Sequence, residues 1–177
     1  MSYAKQFYEK FQEKFKNETD DAKVKYTESP SWTKNVITMI ERILKELSCN
    51  PEVNREYYRI DVIGWKQHKE ELSVGETGLK KHLWELLFAV EHENDSKDWL
   101  DEVCKLSYIR CPLRVVIGYN KDDADDKIKI AKDILTKTGA FTNDEEEFLI
   151  LLGPSEEKYR KGDRYYLNEI IKRKDLR

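Results

Sequence analysis

The chain is poor in cysteine. It has three, Cys49, Cys104 and Cys111, in 177 residues. An odd number without paired short spacings argues against a disulfide framework and against a zinc site, and fits a reduced, cytoplasmic setting. No apolar run approaches the ~20 residues needed to cross a bilayer, so no membrane partner is expected. The N-terminus alternates charges and has no apolar h-region, so no signal peptide is expected. A glycine-rich phosphate loop is missing, which disfavours ATP and dinucleotides. No nucleophilic serine elbow or Cys–His pairing stands out. Positive charge is not in excess either. The net charge is −3, which counts against general electrostatic capture of nucleic acid but not against a local basic patch.

What is present is charge of both signs, 38% of residues, beside 39% apolar residues. The core must therefore be concentrated in a few strongly apolar segments. The length suits one domain. We expect a single domain over 1–177, with its core at about 31–152. A helix over 2–16 and a basic segment over 158–177 are additions to that core.

Ala4, Phe7, Tyr8, Phe11 and Phe15 recur at helical spacing. Ser29-Pro30 reads as an N-cap followed by proline at the first helical position. The helix it opens runs to about Ser48, with Trp32, Val36, Ile37, Ile40, Ile43, Leu44 and Leu47 as its buried stripe. A strand follows over residues 57–65, then a loop from about Lys66 to Lys81 with Gly75 and Gly78. Leu83 to Glu93 reads as a second strand. A helix over 96–110 ends at Cys111-Pro112. Leu113 to Tyr119 is an unbroken apolar strand, which suggests burial on both faces. A helix over 122–138 stops at Gly139, and its acidic start, Asp122 to Asp126, suits the helix dipole. Residues 148–152 form another buried strand, and 165–172 a weaker one. The order gives an α/β (α+β) domain with a central mixed sheet flanked by helices.

Two of these strands carry acids inside apolar runs. Asp61 lies in Ile60-Asp61-Val62-Ile63, and Glu91 follows Leu86-Leu87-Phe88-Ala89-Val90. Side chains alternate along a strand, so Glu91 and Glu93 share a face about 7 Å apart, while His92 points the other way and reads as hydrogen-bonded between layers. Two like charges about 4 Å apart repel by roughly 4 kcal/mol at an effective dielectric near 20. Convergence of Asp61 and Glu91 would call for a cation or a strongly raised pKa. Hard oxygen ligands of this kind favour Mg²⁺ or Mn²⁺.

An Asp on one strand, Glu-X-Glu on the next and this element order resemble the PD-(D/E)XK nuclease superfamily. The likeness covers roughly residues 31–120. That fold, restriction-endonuclease-like, runs helix, three-stranded meander, helix, strand. Asp61 would match its Asp and Glu91 its Glu. Its usual Lys position is held by Glu93, as in the BamHI-like branch. The resemblance implies that Asp61 and Glu91 hold Mg²⁺ or Mn²⁺, that Glu93 orients or deprotonates a water, and that Lys105 on the following helix replaces the missing lysine. It also implies that Glu41, on the preceding helix, serves as a further metal contact. The implied activity is metal-dependent phosphodiester hydrolysis of nucleic acid, DNA rather than RNA. The chain is short for an enzyme that both recognises and cuts, which points to a homodimer or a partner protein.

Each residue also has a plain structural reading. Asp61 could pair with Arg59 or Lys66, and Glu91 and Glu93 could form a solvated strand end. Glu41 and Lys105 could be surface residues of their helices. The alternative function is a catalytically degenerate nuclease-fold protein that binds nucleic acid or a protein. The one basic concentration spans residues 158–177, with eight basic residues against three acids and tyrosines at 159, 165 and 166. That mix suits phosphate contact and base stacking.

Overall fold

A computed structural model describes residues 2–18, 30–57, 59–71, 82–94, 98–119 and 121–176. Two helices come first, α1 (Tyr3–Glu18) and α2 (Pro30–Lys45). They are followed by β1 (Glu52–Tyr57), β2 (Ile60–Glu71), β3 (His82–His92), α3 (Trp99–Ser107) and β4 (Leu113–Tyr119). The chain continues with α4 (Ala124–Lys137), β5 (Glu147–Gly153), α5 (Glu156–Arg160) and β6 (Leu167–Lys172). The result is one mixed α/β domain around a six-stranded sheet.

Each strand of that sheet lies beside its neighbour in the chain, in the order β1-β2-β3-β4-β5-β6. The pairs β1/β2, β2/β3 and β5/β6 are antiparallel, and β3/β4 and β4/β5 are parallel. Parallel neighbours need crossovers, and right-handed crossovers that advance in one direction leave their helices on one face. That is why α3 and α4 lie side by side. Trp99, Val103 and Leu106 of α3 and Ala131 and Leu135 of α4 cover Ile63, Ala89, Val116, Phe148 and Ile150. The other face belongs to the two leading helices. Phe7, Phe11 and Phe15 of α1 and Val36, Ile40 and Leu44 of α2 cover Val62, Phe88, Val90, Val115 and Leu149. Strands β4 and β5 are therefore buried on both faces, as their apolar runs predict.

Gly118 lets α3 sit close to β4. A Cβ there would lie 2.9 Å from the Cβ of Trp99, closer than side chains pack.

The structure differs from the sequence expectation around residue 57. Where one strand over 57–65 is predicted, there is an antiparallel hairpin, with β1 paired to β2 from Glu52↔Trp65 to Tyr57↔Ile60. β1 is an edge strand, exposed at all its positions but the half-buried Val53, so it carries no alternating apolar signal. β2 also runs six residues beyond Trp65, into the predicted loop, and ends at Glu71. Helix α5, only five residues long and mostly charged, has no sequence signal. The predicted cap at Ser29, the glycines at 75 and 78 and the predicted helix start at Ser96 lie outside the described residues.

Candidate active site

Asp61 and Glu91 face each other across two strands. β2 and β3 pair with Val62 opposite Val90, so Asp61 and Glu91 lie one step further along the same register. Directly opposed residues of an antiparallel pair have Cβ atoms about 5 Å apart. Both side chains share the face of Ile63 and Ala89, which is the α3/α4 side. The two acids that the sequence singles out are thus brought together, close enough for the charge of Asp61 to weigh on Glu91.

Lys105 reaches this pair from α3. Its Nζ lies 2.8 Å from Glu91 Oε1 and 2.5 Å from Glu102 Oε2. It also donates to the backbone carbonyl of Arg59 at 3.1 Å. Arg59 sits in the β1–β2 turn at φ +63°, a left-handed conformation that costs a non-glycine residue roughly 1–2 kcal/mol. The strained turn presents its carbonyl to the lysine. Asp61 Oδ2 accepts the backbone N–H of His92 at 2.8 Å. Three of these contributors escape the sequence reading. Glu102 looks like an ordinary helix acid, and the Arg59 carbonyl and the His92 amide are backbone groups that every residue has.

The electrostatics follow from burial. Glu91 is only 2% exposed. Desolvation pushes its carboxyl up to about 8, with Asp61 and Glu102 adding to the rise and Lys105 opposing it. Burial also raises Asp61, against the pull of the His92 N–H and Lys105. Burial alone would lower the Lys105 ammonium, but its hydrogen bonds to Glu102 and Glu91 outweigh that and raise it. Burial thus makes Glu91 reluctant to ionise near neutral pH.

The other buried acids behave differently. Glu147 is 3% exposed, yet its carboxyl lies below the usual range. Burial would raise it, but the Ala4 N–H at 2.9 Å and Lys172 at 2.7 Å outweigh burial. It docks the start of α1 and the end of β6. Glu146 accepts Arg114 at 3.0 Å and also serves Thr142 and Asn143. Arg114, fully buried, also donates from Nη1 to the carbonyls of Ile109 and Ala140. Those acids are committed to the fold. Glu91 has only a half-exposed lysine and a second acid.

The remaining expected residues are placed elsewhere. Glu93 lies one residue past the end of β3, where alternation no longer governs. It is half-buried, its N–H bonds the Ile117 carbonyl at 2.9 Å, and its charge is felt at Tyr119. Glu41 is not brought to the pair. It ion-pairs with Arg55 of β1, and its helix packs on the opposite face of the sheet. Among the described residues, no group of three or more His, Cys, Asp or Glu side chains gathers as a preformed metal cage.

Four of the eight basic residues of 158–177 are paired with acids. Lys158 pairs with Asp122, Arg160 with Glu156, Lys161 with Glu157 and Lys172 with Glu147. An open cavity of about 960 Å³ lies at the other end of the strands, among Glu85, Leu87, Pro112, Glu147 and Lys172. Among the described residues no helix is long and apolar enough to cross a membrane. The chain matches no protein-family model, no curated protein and no solved structure.

Proposed function

We propose that Asp61, Glu91 and Lys105 form the centre of a divalent-cation-dependent phosphodiesterase acting on nucleic acid, DNA rather than RNA. The observation that carries this reading is the convergence of three chemically apt groups from three elements. Two carboxyls meet across β2 and β3, and the Lys105 amine stands 2.8 Å from one of them. The element order supports it too. Helix α2, the β1–β2–β3 meander, α3 and β4 follow the order of the PD-(D/E)XK nucleases, with an Asp on the second strand and a Glu on the third.

The donor set fits Mg²⁺ or Mn²⁺. Mg²⁺ is typically held by one or two carboxylates and completed by water and substrate phosphate, and Asp61 and Glu91 supply two. When bound, the cation would acidify a water and neutralise charge on the phosphate. The protein's own groups have separate tasks. Lys105 provides a fixed positive charge for the oxygens of a phosphodiester. Glu91, with its carboxyl raised to about 8 in the metal-free protein, must give up its proton for the cation to bind, so cation affinity should rise with pH.

Supercoiled plasmid with Mg²⁺ or Mn²⁺ tests the reading. Wild-type protein should nick it, and Glu91→Ala should fall to the uncatalysed background, because loss of a ligand removes water activation and charge stabilisation together.

A second reading has its own observation. Lys105 already closes over Glu91 and Glu102, and four of the eight basic residues of the C-terminal segment are paired with acids. A degenerate site of this kind would bind nucleic acid or a protein partner without cutting. Wild-type protein that binds DNA but cuts none of a range of substrates with either metal would favour it.

A further inference from the structure

We propose that His92 and Tyr119 are positioning residues for Asp61 and Glu91, acting from the opposite face of the sheet. The inference rests on the reading of those acids as the reactive centre.

The Asp61 carboxylate depends on one backbone amide, the N–H of His92, at 2.8 Å. His92 is the last residue of β3, paired with Ile117 of β4, and the Glu93 N–H extends that ladder to the Ile117 carbonyl. The His92 side chain adds a second hold on the same peptide. His92 Nε2 lies 2.6 Å from the Tyr119 hydroxyl, and that hydroxyl accepts the Trp32 Nε1–H at 2.7 Å. The hydroxyl thus joins Trp32, Tyr119 and His92 in one hydrogen-bonded chain, with the His92 tautomer setting which of Nε2 and the hydroxyl donates. The three side chains come from α2, β4 and β3, and all are buried, at 2%, 2% and 7% exposure. The rings also lock edge to face, His92 on Tyr119 at 5.6 Å and Trp32 on Tyr119 at 6.4 Å.

This anchor fixes two things across the sheet. It holds the peptide plane whose N–H meets Asp61. It also fixes the direction of Glu91, because consecutive strand residues point to opposite faces. A rotation of β3 at His92 would turn Glu91 away from Lys105 and withdraw the amide from Asp61 together.

The test uses the full chain with Tyr119→Phe, which deletes one oxygen and keeps the ring. His92→Leu removes the anchor, and His92→Gln keeps a polar end in its place. Ile40→Val, in the same core layer, is the control for lost stability. The first readout is hydrogen exchange of the His92 amide relative to that of Val116, which needs no metal. The second is Mn²⁺ affinity by water-proton relaxation. Tyr119→Phe and His92→Leu should speed His92 exchange at least about tenfold relative to Val116, and should weaken Mn²⁺ binding about 10–100-fold, the usual effect of losing an outer-shell partner. His92→Gln should recover part of both, and Ile40→Val should change neither. Wild-type exchange at His92 in Tyr119→Phe would overturn the relay, as would equal losses in the control. Should Tyr119→Phe fail to fold, Trp32→Phe removes only the first donor and takes the same readouts. A wild-type protein that binds no Mn²⁺ would sink the metal-centre reading alone, and His92 exchange would still decide the relay.

Discussion

Glu91 and His92 are consecutive, both nearly buried, and the protein treats them in opposite ways. Burial penalises the charged form of each. His92 responds by staying neutral, its pKa pushed down to about 3, and its ring joins a buried hydrogen-bonded chain with Tyr119 and Trp32. Glu91 is instead held beside Asp61, Glu102 and the Lys105 ammonium, and is pushed up to about 8. Both side chains thus resist ionising, but His92 does so among uncharged partners, while Glu91 does so with an ammonium and two further acids beside it. Replacing a buried ion pair by apolar side chains of similar volume is often neutral or stabilising, so stability gives no reason for the Glu91 arrangement.

The difference makes opposite demands on pH. For Glu91 the folded pKa, about 8, lies above its ordinary 4.5. The folded state binds the proton more tightly, so this contribution is full below pH 4.5 and is lost as pH rises through 8. A shift of that size corresponds to a few kcal/mol. Glu91→Gln cannot ionise. It should be more stable than wild type by a few kcal/mol at pH 9, with the gap closing by pH 5. Urea unfolding at the two pH values measures it. Parallel pH profiles for the two proteins would show that Glu91 titrates like a solvated acid, and the contrast between the faces would vanish.

The acid limb tests the other face. The folded His92 pKa, about 3, lies below its ordinary 6.5. Its contribution is complete above pH 6.5 and is lost as pH falls toward 3, because the unfolded chain takes up the proton first. Between pH 6.5 and 5 this amounts to about 2 kcal/mol. Over the same interval Glu91 acts in the opposite sense, so the wild-type profile should be flatter than either single effect. His92→Gln should remove the acid-side loss and leave the alkaline one. If the acid limb survives in His92→Gln, another group causes it.

The parts that were legible in the sequence are those with a local pattern. β4 and β5 announce themselves as uninterrupted apolar runs, and their observed bounds differ from the reading by no more than a residue at either end. α2 shows its stripe from Trp32 to Leu44. Asp61 and Glu91 stand out because acids in apolar strands are costly. β1 was illegible because an edge strand with one half-buried residue has no alternation to read. The surroundings of the acids were illegible for another reason. Lys105 was singled out, but its contact with the Arg59 carbonyl arises only through the packing of α3 over a strained turn, and Glu102 reads as one more helix acid. The Trp32–Tyr119–His92 chain joins positions 87 and 27 residues apart, and no local pattern announces such a contact.

The smallest effect belongs to Glu41, and it probes whether the face that holds α2 takes part in the centre at all. Arg55 holds Glu41 through Nε at 2.7 Å, with a second contact from the same guanidinium, and that bond keeps the Glu41 carboxyl below its ordinary range. The depressed pKa means that this contribution is present above pH 4.5 and is lost as pH falls further. Both side chains meet water, at 41% and 22% exposure, and exposed pairs contribute about 0–1 kcal/mol. Glu41→Gln should therefore lower stability at pH 7 by less than about 1 kcal/mol. It should leave Mn²⁺ affinity and plasmid nicking unchanged, because the sheet stands between Glu41 and the Asp61–Glu91 pair. Parallel unfolding and Mn²⁺ titrations of this variant and wild type decide the point. A tenfold loss of Mn²⁺ affinity with unchanged stability would draw Glu41 into the centre, and the division of labour between the two faces would then be wrong.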